Sequence, residues 1–121
     1  AESRPARTAA RGGRSRSAAR QEIAGLYEEH VWNVYGFFGY RVASRADAED
    51  LTQLTFERAM RAWSRFDPDR ASARTWLMSI AANLLIDRGQ TARAMELIPA
   101  IEEGDPRLSE AIQLRLTTVK R

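Results

Sequence analysis

Apolar residues recur along this chain at spacings of three and four, the period of helices that bury one side. Ile23, Leu26, Tyr27, Val31, Val34, Tyr35, Phe38 and Val42 predict a first helix over Gln21–Val42, with Trp32, Phe37 and Tyr40 widening its stripe. A second helix is expected over Ala46–Trp63, where Ala48, Leu51, Thr55, Phe56, Ala59, Met60, Ala62 and Trp63 share one arc. The opposite arc holds Asp47, Asp50, Gln53, Glu57, Arg58 and Arg61, with Leu54 among them and out of pattern. Leu54 fits two readings: a singly exposed leucine, which is ordinary, or the apolar centre of a partner surface rimmed by polar groups. The third helix, Ser72–Asp87, places Leu77, Ile80, Ala81, Leu84 and Arg88 on one stripe and Trp76, Ser79, Asn83 and Asp87 on another.

Local signals punctuate these elements. Ser44-Arg45-Ala46-Asp47 has capping-box spacing, and the acids at 47, 49 and 50 suit the positive end of a helix dipole. Asp67-Pro68-Asp69 carries turn chemistry, Ser72 is placed to cap the third helix, and Gly89 is a helix stop. Gln90–Gly104, with Pro99 and the acids Glu96, Glu102 and Glu103, reads as an acidic linker over 89–104. Asp105-Pro106 then opens a last amphipathic segment in 105–121, with Leu108, Ala111, Ile112, Arg115, Leu116 and Val119 at helical spacing. The expected fold is all-α, a compact bundle of three main helices plus a short C-terminal helix.

Charge changes the picture at two places. The net +3 conceals an arm, residues 1–20, in which six arginines stand against Glu2 for a local +5, leaving −2 for the remainder. That arm has no large apolar residue and reads as disordered and basic. Within 58–74, Arg58, Arg61, Arg65, Arg70 and Arg74 outnumber Asp67 and Asp69. Such a run is either a solvated face or a set of phosphate contacts. Cysteine is absent and His30 is the single histidine, so disulfides are excluded, a metal centre is disfavoured and no cofactor is expected. His30 is expected on a helix surface. The apolar run Trp76–Ile86 is too short for a membrane span, so the expectation is a soluble, cytoplasmic protein. No phosphate-cradling glycine loop or paired-carboxylate motif suggests an enzyme.

The series Asp47-Ala48-Glu49-Asp50-Leu51-Thr52-Gln53-Leu54-Thr55-Phe56, then Arg58-Ala59, Trp63, Phe66, Thr75-Trp76-Leu77, Ile80-Ala81, Asn83-Leu84 and Ile86-Asp87, resembles the second conserved region of bacterial sigma factors of the extracytoplasmic-function group. The resemblance covers residues 23 to 88 and implies a region 2 helical domain over 21–88. It implies a transcription initiation factor that binds core RNA polymerase through the clamp helices of its largest subunit. By the same analogy Asp50, Gln53, Leu54, Glu57 and Arg61 meet polymerase. The connector and third helix would hold the non-template strand of the minus-ten promoter element. The residues expected at that strand are Arg65, Phe66, Arg70, Ser72, Arg74, Trp76, Asn83, Asp87 and Arg88. The residues by themselves favour a core position for Trp76 and a cap or brace for the loop at Asn83 and Asp87, and the resemblance brings the DNA reading of Trp76 level with the core one. The family pattern has an arginine before the asparagine and a basic run after the aspartate. Here Ala82 and Arg88-Gly89-Gln90-Thr91-Ala92-Arg93 stand there, which implies fewer phosphate contacts. The final helix would be the start of a truncated second domain or a helix that packs back on the first. The alternative function is an interaction module, bound by polymerase or an anti-sigma protein, without promoter recognition of its own.

Overall fold

The computed structural model describes residues 16–119. Its regular elements are helices: α1 (Arg16–Gly39), α2 (Arg45–Arg61), a single 3₁₀ turn (Trp63–Arg65), α3 (Ala73–Asp87), α4 (Thr91–Met95), α5 (Ile98–Gly104) and α6 (Pro106–Val119). The all-α expectation therefore holds. Helix α1 starts earlier than its apolar stripe, because Ala18, Ala19 and Arg20 are strong helix formers with no glycine or proline among them. Residues 16–20 of the expected disordered arm are thus helical, and the rest of that arm lies outside the described residues.

The caps are those the sequence signals. The Ser44 hydroxyl accepts from the Asp47 N–H at 3.0 Å and the Ser72 hydroxyl from the Thr75 N–H at 3.1 Å. Gly89, at φ +76°, ends α3 in a Schellman turn, with Gln90 N–H donating to Leu85 O at 2.8 Å and Gly89 N–H to Ile86 O at 3.0 Å.

The core is built around α3. Leu77, Met78, Ala81, Ala82, Leu84, Leu85 and Ile86 are all buried, as in a helix covered on every side. Ile23, Leu26, Val34 and Phe38 of α1 and Ala48, Leu51, Phe56 and Ala59 of α2 cover one flank, and Ala94, Leu97, Ile101, Ile112 and Leu116 complete the core. The buried Thr52 and Thr55 return their hydroxyls to Ala48 O (2.7 Å) and Leu51 O (2.8 Å), which removes the cost of burying them.

Three expectations are corrected. The 89–104 segment contains α4 and α5 and joins the core, because Ala94, Leu97, Ile98 and Ile101 form a short i, i+3, i+4, i+7 stripe and Pro99 sits in the first turn of α5, where proline is tolerated. Trp32 and Tyr40 are 78% and 85% exposed, and Met60 is also exposed, so the apolar arcs of α1 and α2 are narrower than their composition. His30 is only 13% exposed in its side chain, since it falls on the stripe of Leu26, Val34 and Phe38. Leu54 is half-buried against the core. Helix α6 packs back on α3. Among the described residues no helix is long and apolar enough to cross a membrane.

Candidate functional site

Two ridges of α2 have different fates. Positions 50, 54 and 58 lie four apart on one line, and that line faces the C-terminal end of α3. Asp50 accepts from Arg88 Nη2 at 2.6 Å, and Arg58 Nη2 donates to Asp87 Oδ2 at 2.7 Å. Leu54 lies between these ion pairs along the helix, which accounts for its partial burial. Gln53, Glu57 and Arg61 form the neighbouring ridge and stay exposed. They border a groove between α1 and α2 whose apolar floor includes Ile23, Tyr27, Phe56 and Met60. The edge-on contact of Tyr27 with Phe56, centroids 4.9 Å apart, fixes that floor. Of the residues expected to meet polymerase, Gln53, Glu57 and Arg61 are therefore presented together, while Asp50 and Leu54 belong to the seam with α3.

The connector between α2 and α3 is held by rings. Trp63 stacks on Phe66 (5.2 Å, 27°), Phe66 lies against Trp76 (4.8 Å), and Trp63 meets Trp76 near edge-on (5.8 Å, 61°). Trp63 Nε1 donates to Glu22 of α1 at 2.5 Å. Phe66 is buried and Trp76 half-buried, so both rings brace the connector on α3 and neither is an open stacking platform. Asp67 Oδ1 accepts from the Asp69 N–H at 2.9 Å, which is the turn its sequence signals.

The remaining residues expected at DNA divide again. Arg65 and Arg74 are exposed, Arg74 with its guanidinium 5.9 Å from the centre of the Phe37 ring. Ser72 caps α3. Arg70 Nη2 reaches the buried carboxylate of Asp105 at 3.4 Å, and Arg88 is turned to Asp50. Asn83 donates through Nδ2 to Ser79 O (3.0 Å), and its Oδ1 and backbone O accept from Arg115 Nη1 at 2.8 and 3.1 Å. Asp87 accepts from Arg58 through one oxygen and from Arg115 Nη2 through the other. Burial would raise the Asp87 carboxyl, but hydrogen bonds and charge from Arg115 and Arg58 outweigh it and hold the group below its ordinary value.

Arg115 is the residue that sequence reasoning does not assign. Its signal is an arginine on the apolar stripe of α6, beside Leu116 and one turn from Ile112. Its contacts with Asn83 and Asp87 join α6 to α3. With Arg58, Arg61 and Arg65 it rims a cleft over Ile80 and Ala62, in which Asp87 is the one acid among the lining residues. Four guanidinium groups against one carboxylate make a site for anions such as phosphate oxygens. Among the described residues no group of three or more His, Cys, Asp or Glu side chains is placed to hold a metal ion.

Comparison with known proteins gives a consistent family. The Sigma-70 region 2 family matches residues 26–94. The ECF RNA polymerase sigma factor BldN of Streptomyces coelicolor is 35% identical over 80 residues, covering 66% of this chain and 30% of the relative. The RNA polymerase sigma factor CarQ of Myxococcus xanthus is 33% identical over 90 residues, 74% of this chain and 51% of the relative. The ECF RNA polymerase sigma factor SigC of Mycobacterium tuberculosis is 40% identical over 67 residues, 55% of this chain and 34% of the relative. The chain thus spans about half or less of the length of these relatives. No solved structure matches it.

Proposed function

Because this chain belongs to the sigma-70 region 2 family, we propose that it acts in bacterial transcription initiation, by binding and without catalysis. In this reading the Gln53–Glu57–Arg61 ridge docks on the clamp helices of core RNA polymerase in the cytoplasm. The cleft and connector beside it hold the non-template strand of the minus-ten element. The observation that carries the reading is the position of Arg61, which borders both the α1–α2 groove and the cationic cleft. A polymerase surface seated on the ridge therefore has the cleft next to it, and a strand leaving that surface meets arginines at once.

The test begins with retention of the chain on core polymerase, followed by fluorescence of a labelled single strand carrying candidate promoter sequences. Glu57→Arg changes an exposed side chain and should abolish retention while leaving the melting temperature unaltered. Undiminished retention removes the ridge from the polymerase contact. Selection of one strand sequence over a scrambled one supports promoter recognition.

A second reading has an observation of its own. Arg70, Asn83, Asp87 and Arg88, all expected at DNA, are engaged within the protein. That favours an interaction module, bound by polymerase or by an anti-sigma protein. Polymerase binding with no strand selection decides for it.

A further inference from the structure

The end of α3 lends no cation to the cleft from its own neighbourhood. Position 82 is a buried alanine, Arg88 is directed to Asp50, and Arg93 reaches toward Tyr40 O at 3.4 Å. The cleft is nonetheless rimmed by Arg115, carried in from a helix 28 residues further along the chain. Its guanidinium is held at two points, by Asn83 on one Nη and by Asp87 on the other. A two-point hold limits the rotamers the side chain would otherwise sample, so little entropy is lost when an anion arrives.

We propose that Arg115 contacts the phosphate backbone of the captured single strand, and that Asn83 and Asp87 are positioning residues which aim it rather than readers of a base. The proposal rests on the strand-binding reading above and names a contact within it. Asn83 gives one amide hydrogen to Ser79 O and turns its oxygen to Arg115, and each oxygen of Asp87 accepts from an arginine, so both side chains are anchored toward the guanidinium they hold. Arg115 keeps more than a third of its side chain exposed while making these bonds.

The competing assignment is a plug, in which α6 closes the cleft until it is displaced. Two observations oppose it. A plug for an anion site is expected to be acidic, and Arg115 adds positive charge where three arginines already stand. Helix α6 is also built into the core: Ile112 and Leu116 are 2% and 6% exposed, and Asp105 at its start is buried and paired with Arg70. It is a wall of the cleft, not a lid.

The experiment is titration of a labelled single-stranded minus-ten oligonucleotide with the full chain bound to core polymerase, repeated over a range of salt. Losing one phosphate contact on single-stranded DNA makes log affinity against log salt shallower by about 0.7, so over a fourfold rise in salt the variant loses about 2.6-fold less affinity than the parent. Arg115→Ala should show this change together with weaker binding at low salt. Arg115→Gln should show it too while keeping a donor toward Asn83 and Asp87, which covers the case of an alanine variant that does not fold. Arg115→Lys should retain the parent slope, as should Arg107→Ala, a change on the same helix outside the cleft. A parent slope in both neutral variants, or tighter binding by either, overturns the proposal and in the latter case makes Arg115 a plug. A parent complex with no strand affinity at any salt overturns the strand-binding reading, and this contact with it.

Discussion

Replacing Gly104 with alanine should loosen the C-terminal helix from the bundle. Gly104 is the last residue of α5, and a Cβ built on it would lie 2.7 Å from Thr75 Cγ2, 2.9 Å from Thr75 Cβ and closer still to Thr75 Oγ1. Ordinary contact begins at 3.4 Å, so α5 would have to withdraw from α3 by about half an ångström or more in an interior packed too tightly to absorb it. Rotation of Thr75 gives no escape. The residue is β-branched, sits in the first turn of α3 and is 7% exposed, so turning χ1 exchanges one substituent for the other. Overpacking of this kind costs about 1–3 kcal/mol. The φ of Gly104 is not positive, so alanine also recovers about 0.4–1 kcal/mol by restricting the unfolded chain. The net loss is about 1–2 kcal/mol, equivalent to a fall in melting temperature of about 4–16 °C for a domain of this size. Thermal unfolding followed by circular dichroism measures it, with Thr75→Ala as the second arm of a double-mutant cycle. Thr75→Ala removes two of the three nearest atoms, so in that background Gly104→Ala should cost less than half as much. A melting temperature at or above the parent's, or an equal cost in both backgrounds, refutes the packing argument.

Two further outcomes concern the residues that hold α6. Asp105→Ala removes the carboxylate that accepts the Arg107 N–H at 3.0 Å and pairs with Arg70, and should lower stability by about 0.5–2 kcal/mol in a denaturant titration. Asp105→Asn keeps the cap and should lose less; equal losses would show that the cap contributes nothing. The carboxyl of Asp87 is held below its ordinary value, so its contribution is present in full above the unfolded value of about 3.9 and is lost as pH falls through the lower folded value. Asp87→Asn should therefore flatten the loss of stability on the acid side of about pH 4, and a variant that declines as steeply as the parent excludes the pairing from acid unfolding.

The main helices were legible because each signal is local. Helical period, Ser44 and Ser72 as caps, and Gly89 as a stop all act within a turn or two, and all appear in the structure at those residues. The 89–104 segment was not, because its buried stripe is divided between two helices of five and seven residues, too short for periodicity to outweigh Pro99 and the glutamates. Facing was also hidden where composition misleads: Trp32 and Tyr40 are apolar and exposed, His30 is polar and sheltered. At the site, the sequence singles out Asn83 and Asp87 but not their partner. Arg115 is 32 and 28 residues away from them, and only the packing of α6 brings it there. Leu54, out of pattern in the sequence, marks the line between two ion pairs, Asp50–Arg88 and Arg58–Asp87.

The return of α6 to α3 also sets a timetable for the growing chain. Arg115 is translated 28 residues after Asp87, which at about 5–20 residues per second is a delay of roughly 1–6 s. Through that interval a nascent chain has its first three helices without Ile112 and Leu116 to cover them, and with Asn83 still open to water. Apolar surface left bare for seconds invites aggregation and chaperone capture, so the first three helices pass their most vulnerable moments before α6 emerges to cover them.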